Sequence, residues 1–201
     1  MARTTAPFRQ TWTALRALLV LTVVLGLGYP LVVLGIGQLA LPAQANGSLV
    51  SVDGEVVGSS LIGQSFTDAD GNPLPEWFQS RPSAAGAGYD GTASSGSNYG
   101  PENPDLIAAI EDRRAAIAEF EGVDPADVPA DALTTSGSGL DPHISPAYAL
   151  LQVARVAEAR GLSEDAVREL VESHIQGRDL GYLGEPTVNV LHLNIALAEL
   201  N

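Results

Sequence analysis

Neither cysteine nor lysine occurs in the 201 residues, so all ten basic residues are arginine. The first absence removes disulfides, thiolate metal sites and cysteine nucleophiles. The second removes the lysine that a Walker A phosphate loop requires, and equally the lysine-bearing loop that accompanies an aspartyl phosphate. The chain does not hydrolyse ATP by either route. Positive charge is scarce overall: 24 acids against ten arginines leave a net charge of −14. It is also uneven, because Arg3, Arg9 and Arg16 precede the first acid, Asp53. From Asp53 to the end the chain holds 24 acids and seven arginines, a formal −17. Such a surface repels nucleic acid and anionic lipid, and enriches cations only within about 8 Å at physiological salt.

What the chain does have is apolar content. At 45% apolar residues and this length, it supports one modest domain with a core, plus an appendage. The appendage is the uncharged run from Ala17 to Leu41, whose only strongly polar side chain is Gln38. As a helix, at 1.5 Å per residue, it extends about 37 Å, against a hydrocarbon core of about 30 Å. Gly26, Gly28 and Pro30 are expected to kink it or to admit a neighbouring helix. The flanking arginines place the N-terminal end in the cytoplasm. The expected division is therefore a cytoplasmic N-terminus over residues 1–16, a transmembrane helix over 17–41 and an extracytoplasmic domain over 46–201. Ala43-Gln44-Ala45 also has the small-x-small form of a signal cleavage site, but the apolar run is about twice the usual 7 to 15 residues, which favours an anchor.

Beyond the anchor, Asp53-Gly54 between Val50/Val52 and Val56/Val57 reads as a two-residue hairpin turn. Phe66 to Pro104 is rich in Gly, Pro, Ser and Asn, too long for an ordinary connection, and its Trp77, Phe78, Tyr89 and Tyr99 favour an ordered loop. Four helices come next. Asn103 caps and Pro104 opens the first, with Leu106, Ile107, Ile110 and Ile117 as its stripe, ending near Gly122. Ser145 and Pro146 open the second, with Leu150, Leu151, Ala154 and Ala157 on one face up to Gly161. Ser163 caps the third, where Val167, Leu170, Val171 and His174 share a face before Gly177. Asn189 caps the last, with Leu193, Ile195 and Leu197 as core. The fold class is α+β: a single N-terminal transmembrane helix, then one soluble domain with a small β-hairpin or sheet and about four helices.

The run Thr135 to Pro146 sets Asp141, His143 and three serines among glycines and prolines. A serine hydrolase built on Ser138, Asp141 and His143 is one reading, but the nucleophile elbow is absent, and Ser138 between Gly137 and Gly139 suits a tight turn. An Asx turn and a helix start explain Asp141 and His143 without chemistry. His143, His174 and His192 have no metal-ligand spacing, so no metal site is expected. The loops at Ser94 to Gly100 and Thr135 to Leu140 have a composition able to cradle a phosphate or a cation, and more often simply turn the chain. Asn46-Gly47-Ser48 fits a glycosylation sequon.

Four blocks carry a resemblance. "QSRPSAA" holds Arg81 and Pro82. "SSGSNYGPENPDL" holds Ser95, Gly96, Asn98, Gly100, Pro101, Asn103 and Pro104. The run "SGSGLDPHISPAYALLQVARVAEARGL" holds Ser136, Gly137, Ser138, Gly139, Asp141, Ser145 and Pro146, and "GRDLGYLGEPTVNVLHLNIAL" holds Asn189 and Asn194. In this order they resemble the C subunit family of the Kdp potassium-transporting P-type ATPase, from the anchor to the chain's end. The resemblance implies structural roles for these motif residues. It implies one retained membrane helix and a non-catalytic accessory subunit that assists assembly and acts as a catalytic chaperone, raising the pump subunit's affinity for ATP. The partners it implies are a potassium-channel-like A subunit, an ATP-hydrolysing P-type B subunit and a very small hydrophobic subunit, with potassium as the transported ion. ATP enters only through that complex, and no cofactor is expected on this chain. The resemblance also links Gln152 to nucleotide, which conflicts with an extracytoplasmic domain. The alternatives are an anchored extracytoplasmic serine hydrolase and a secreted binding domain released after Ala45.

Overall fold

A computed structural model describes residues 6–200. Part of the expected cytoplasmic segment, residues 1–5 with Arg3, lies outside the described residues. Helix α1 (Ala6–Val23) passes through one π turn, Val24–Gly28, into α2 (Tyr29–Ala40). Pro30, in the first turn of α2, has no N–H to donate, and the ladder absorbs this locally: Tyr29 N–H bonds five residues back, to the Val24 carbonyl. The expected kink is thus a π turn at Gly26 and Gly28. From Phe8 to Ala40 the apolar helix has 33 residues, none of its most apolar window being buried, and it is about 50 Å long, enough to cross a bilayer core. Leu41 leaves helical geometry before Pro42, and the single turn α3 (Pro42–Ala45) closes this unit. There the Gln38 and Asn46 side-chain amides pair at 3.1 and 3.3 Å, and Asn46 Nδ2 also donates to the Pro42 carbonyl.

A second compact unit begins at Leu49. Strands β1 (Leu49–Val52) and β2 (Glu55–Ser59) form the antiparallel hairpin, with Asp53 at φ 52° and Gly54 at φ 86°. Two successive left-handed residues match the right-handed twist of the flanking strands, which is why Asp-Gly stands there. The long segment to α4 (Pro104–Glu121) holds no further named strand or helix and is nevertheless ordered around Phe78, which is fully buried. A 3₁₀ turn at Pro125–Asp127 and one turn of helix, α5 (Ala130–Leu133), lead to β3 (His143–Ile144). Helices α6 (Pro146–Leu151), α7 (Val153–Arg160) and α8 (Glu164–Ser173) come next, then β4 (Ile175–Gln176), β5 (Thr187–Asn189) and α9 (Val190–Glu199). The strand order is β3-β5-β4, both pairs antiparallel, with His143 opposite Asn189 and Ile175 opposite Val188. Ile144, Val153, Val156, Val167, Val171, Val188, Leu193 and Leu197 fill the core.

The structure is α+β as expected, and three details differ. The second helix is broken at Gln152, and its buried face is Gln152, Val153, Val156 and Ala157, whereas Ala154 is exposed. An apolar pattern does not reveal this face, because Gln152 and Arg155 are polar. The third helix stops at Ser173, and His174-Ile175 turn into β4 instead of continuing to Gly177. In the first helix Ile107 is exposed, while Ile110 and Ile117 pack on the core.

Candidate functional site

The motif residues converge where the long segment 60–103 meets the helices. Gln152, at the break between α6 and α7, has no accessible surface. Its Oε1 accepts the Gln79 N–H at 2.6 Å and an Arg155 Nη2 hydrogen at 2.8 Å, and its Nε2 donates to the Gln79 carbonyl at 3.1 Å. Asn194 on α9 does the same one residue earlier, accepting from Phe78 N–H and donating to its carbonyl, both at 3.0 Å. Two side-chain amides thus act as the strand partners that this extended segment lacks. The reason is that a buried backbone N–H or C=O must be paired.

Arg155 secures the other flank. It donates to Glu121 Oε2 at 2.9 Å and to the Trp77 carbonyl at 3.0 Å, and lies 4.5 Å from the Phe120 ring centroid. Both members of this ion pair are buried, and Glu121 Oε1 has no partner. Burial pushes the Glu121 carboxyl up, against the opposing pull of the Arg155 hydrogen bond and charge.

A second contact set holds the Thr135–Pro146 run. Arg81 donates to the Thr134 carbonyl through Nε and Nη2 and to Asp141 Oδ2 at 3.2 Å. Asp141 Oδ1 accepts the His143 N–H at 3.0 Å, an Asx turn, with the imidazole Nδ1 at 3.3 Å. Burial favours the neutral Asp141 carboxyl, but the His143 side-chain and backbone bonds and the Arg81 charge outweigh it and hold the group below its ordinary range. Gly139, at φ 68°, accepts the Ser83 hydroxyl at its carbonyl, and a Cβ there would lie 2.5 Å from the Ser95 carbonyl oxygen. Ser95 N–H bonds to the Ser138 carbonyl, Ser136 Oγ accepts Gly139 N–H, and Gly96 sits against the Gly137 carbonyl. Asn98, at φ 54°, donates to the Gly96 carbonyl, and Gly100 accepts from Asn103 across the Pro101 turn. Pro82 stands in the same segment, bordering the surface beside Arg81.

Caps account for the remainder. Asn103 accepts from Asp105 N–H with Pro104 next, and Ser145 accepts from Tyr148 N–H with Pro146 next. Ser145 also gives its own N–H and Oγ–H to the Asp131 carboxylate at 2.7 and 2.8 Å. Asn189 caps α9 through His192 N–H and ties down the Ser60 carbonyl. Sequence reading found the caps; it missed Glu121, Arg155, Gln79 and Asp131, whose only signal was an unexplained charge or amide on a helix or loop.

Ser138 Oγ accepts the Leu140 N–H and neighbours Ser136 Oγ at 3.4 Å, and no hydrogen bond joins it to His143. The hydrolase constellation is therefore not assembled. His174 Nδ1 lies 2.9 Å from the Leu170 carbonyl, and among the described residues no group of three or more His, Asp or Glu is placed to hold a metal.

An apolar N-terminal helix long enough to span a bilayer, and a mixed domain whose motif residues are bonded within the domain itself, define a class: proteins with one candidate membrane-spanning helix among the described residues and an internally braced α+β domain. The family model described as KdpC, the c chain of K+-transporting ATPase, matches residues 11–199. The chain is 61% identical to the potassium-transporting ATPase KdpC subunit of Kineococcus radiotolerans, covering 94% of this chain and 93% of that one. It is 57% identical to the KdpC subunit of Caulobacter vibrioides, over 88% and 86% of the two chains, and 53% identical to that of Mycobacterium bovis, over 96% and 99%. The chain belongs to the KdpC family, a subunit of the K+-transporting ATPase complex.

Proposed function

We propose that this chain is a non-catalytic subunit that helps assemble a potassium pump and raises the pump's affinity for ATP. Its companions are a potassium-channel-like subunit, an ATP-hydrolysing P-type subunit and a very small hydrophobic subunit. The chain crosses the membrane once, with its N-terminus in the cytoplasm and the domain of residues 46–201 outside. The observation that carries this reading is the use of the motif residues within the fold itself, with Gln152 wholly enclosed by Gln79 and Arg155. In this reading Gln152 influences nucleotide binding by bracing the domain, and ATP is bound on the pump subunit. An effect on ATP from across the membrane is then coupling between sites, which requires a conformational state of the pump that this domain binds more tightly than the other.

The test is purification of the complex with and without this chain, followed by ATPase measurement. Removal is expected to prevent assembly or to raise the KM for ATP about fivefold or more, the lower range of allosteric coupling. A complex that assembles without the chain and keeps its KM contradicts the proposal.

A further inference from the structure

We propose that the outer face of the β1–β2 hairpin, with Leu49, Val56 and the following Leu61, lies in the interfacial layer of the membrane and contacts lipid there. This rests on the reading of the N-terminal helix as a membrane span. Leu49 pairs opposite Ser59 and Ser51 opposite Val56, and residues directly opposite in an antiparallel pair share a face. On that face Leu49 is 61% exposed and Val56 60%, whereas Val50 and Val52, on the other face, are half-buried. Leu61, in the turn from Ser59 to Ile62, is 62% exposed. That turn is not loose: the Ser59 hydroxyl accepts Leu61 N–H, and Asn189 Nδ2 donates to the Ser60 carbonyl. One short hairpin and its exit turn thus hold three large apolar side chains outward, the mark of an interaction surface.

What covers this face follows from where the spanning helix ends. The single turn α3 folds back over the last turns of α2: a Cβ on Gly37 would stand 3.5 Å from the Ala45 Cβ, and the Asn46 amide pairs with that of Gln38. Ser48 N–H donates to the Ala43 carbonyl at 2.8 Å, so the chain stays close to this turn. At Asn46 it is therefore back at the level of Gln38, still inside the helical span. Leu49 is three residues later, which keeps its Cα within about 11 Å of that of Asn46. The headgroup layer is about 6 Å thick on each side of the hydrocarbon core, and interfacial elements bury their apolar face about 5–10 Å into the headgroup and acyl boundary. Covalent connection alone thus holds the start of the hairpin at the membrane surface. Charge decides the kind of contact. Between Arg16 and Arg81 there is no basic residue, and the charges of the hairpin are Asp53 and Glu55. Attraction to anionic headgroups does not drive the approach, and apolar contact with zwitterionic lipid is what this composition fits.

The test uses the full chain in phosphatidylcholine nanodiscs with a bimane label on single cysteines, which the cysteine-free sequence permits. Leu49→Cys, Val56→Cys and Leu61→Cys are compared with Glu169→Cys on α8 and with Leu31→Cys within the span. A nitroxide near the headgroup end of the acyl chains is expected to quench the three hairpin labels about twofold or more above Glu169→Cys, as for side chains at the headgroup and acyl boundary. A charge introduced by Leu61→Asp should bring the quenching at Val56→Cys down towards the Glu169→Cys level, and quenching unchanged by it overturns the proposal. Leu31→Cys, read with a nitroxide deep in the acyl chains, reports on the span separately. If it is quenched while the hairpin labels match Glu169→Cys, the proposal is overturned and the span stands; if it is not quenched, the span reading fails and the proposal with it. Hairpin labels unquenched by lipid but shielded from aqueous iodide would also overturn it, and would give the face to a protein, a second copy of this chain or a companion subunit. Should one hairpin variant fail to fold, the other two decide.

Discussion

Gln152 is a polar residue with no exposure, and its position is stable only because all three of its hydrogen bonds are made within the domain. Truncating it leaves the Gln79 N–H and carbonyl and one Arg155 donor without partners. Each buried orphan costs about 1–3 kcal/mol. Gln152→Ala is therefore expected to lower unfolding free energy by about 3 kcal/mol or more, measured by urea denaturation with no nucleotide present. Unchanged stability would contradict the bracing role. Arg155 and Glu121 make the same point about buried charge: the pair adds little net stability over an apolar substitute, but removal of either partner strands the other. None of these pairings was legible in sequence. Gln152 and Gln79 stand 73 positions apart, far beyond the reach of any local pattern. Caps, in contrast, are local interactions, and Asn103, Ser145, Ser163 and Asn189 all bond where the sequence places them.

At the scale of elements, the Thr135–Pro146 loop is fastened to the segment around Ala85 and Ser95, and glycine is what allows the approach. Gly139 and Gly161 share a φ of 68°, but a Cβ on Gly139 meets the Ser95 carbonyl and the Ala85 N–H, whereas one on Gly161 meets nothing within 4 Å. The pair therefore separates backbone strain from crowding. Gly161→Ala is expected to cost about 1 kcal/mol, the conformational penalty alone, and Gly139→Ala about 2 kcal/mol more, from overpacking. Chemical denaturation of the two variants side by side checks this, and equal losses would mean that the loops separate freely. The hairpin was legible because Asp-Gly is a local turn signal. Strands β3, β4 and β5, of two or three residues each, were not, because so short a strand has no periodicity and exists only through its neighbours.

For the whole molecule, the absence of cysteine makes orientation directly measurable. Single substitutions Glu169→Cys, at an exposed site on α8, and Gln10→Cys, on α1, each introduce a unique thiol. With the arginine-flanked end inside, a membrane-impermeant maleimide applied to intact cells is expected to label the protein carrying Glu169→Cys and not the one carrying Gln10→Cys. The reverse pattern would invert the topology. Labelled protein recovered at the mass of a chain beginning near Asn46 would instead mark a cleaved leader.

Composition and local order by themselves determined a long uncharged helix, an anionic mixed domain, the hairpin turn, the helix starts and, through four ordered blocks, the family. These depend on contacts between residues a few positions apart or on totals over the chain, which is why a one-dimensional reading reaches them. Only the tertiary structure decided that Gln152 faces inward and that Asp141 joins Arg81 instead of activating Ser138. Those outcomes are set by burial and by pairing across tens of residues, and burial is a property of the packed chain.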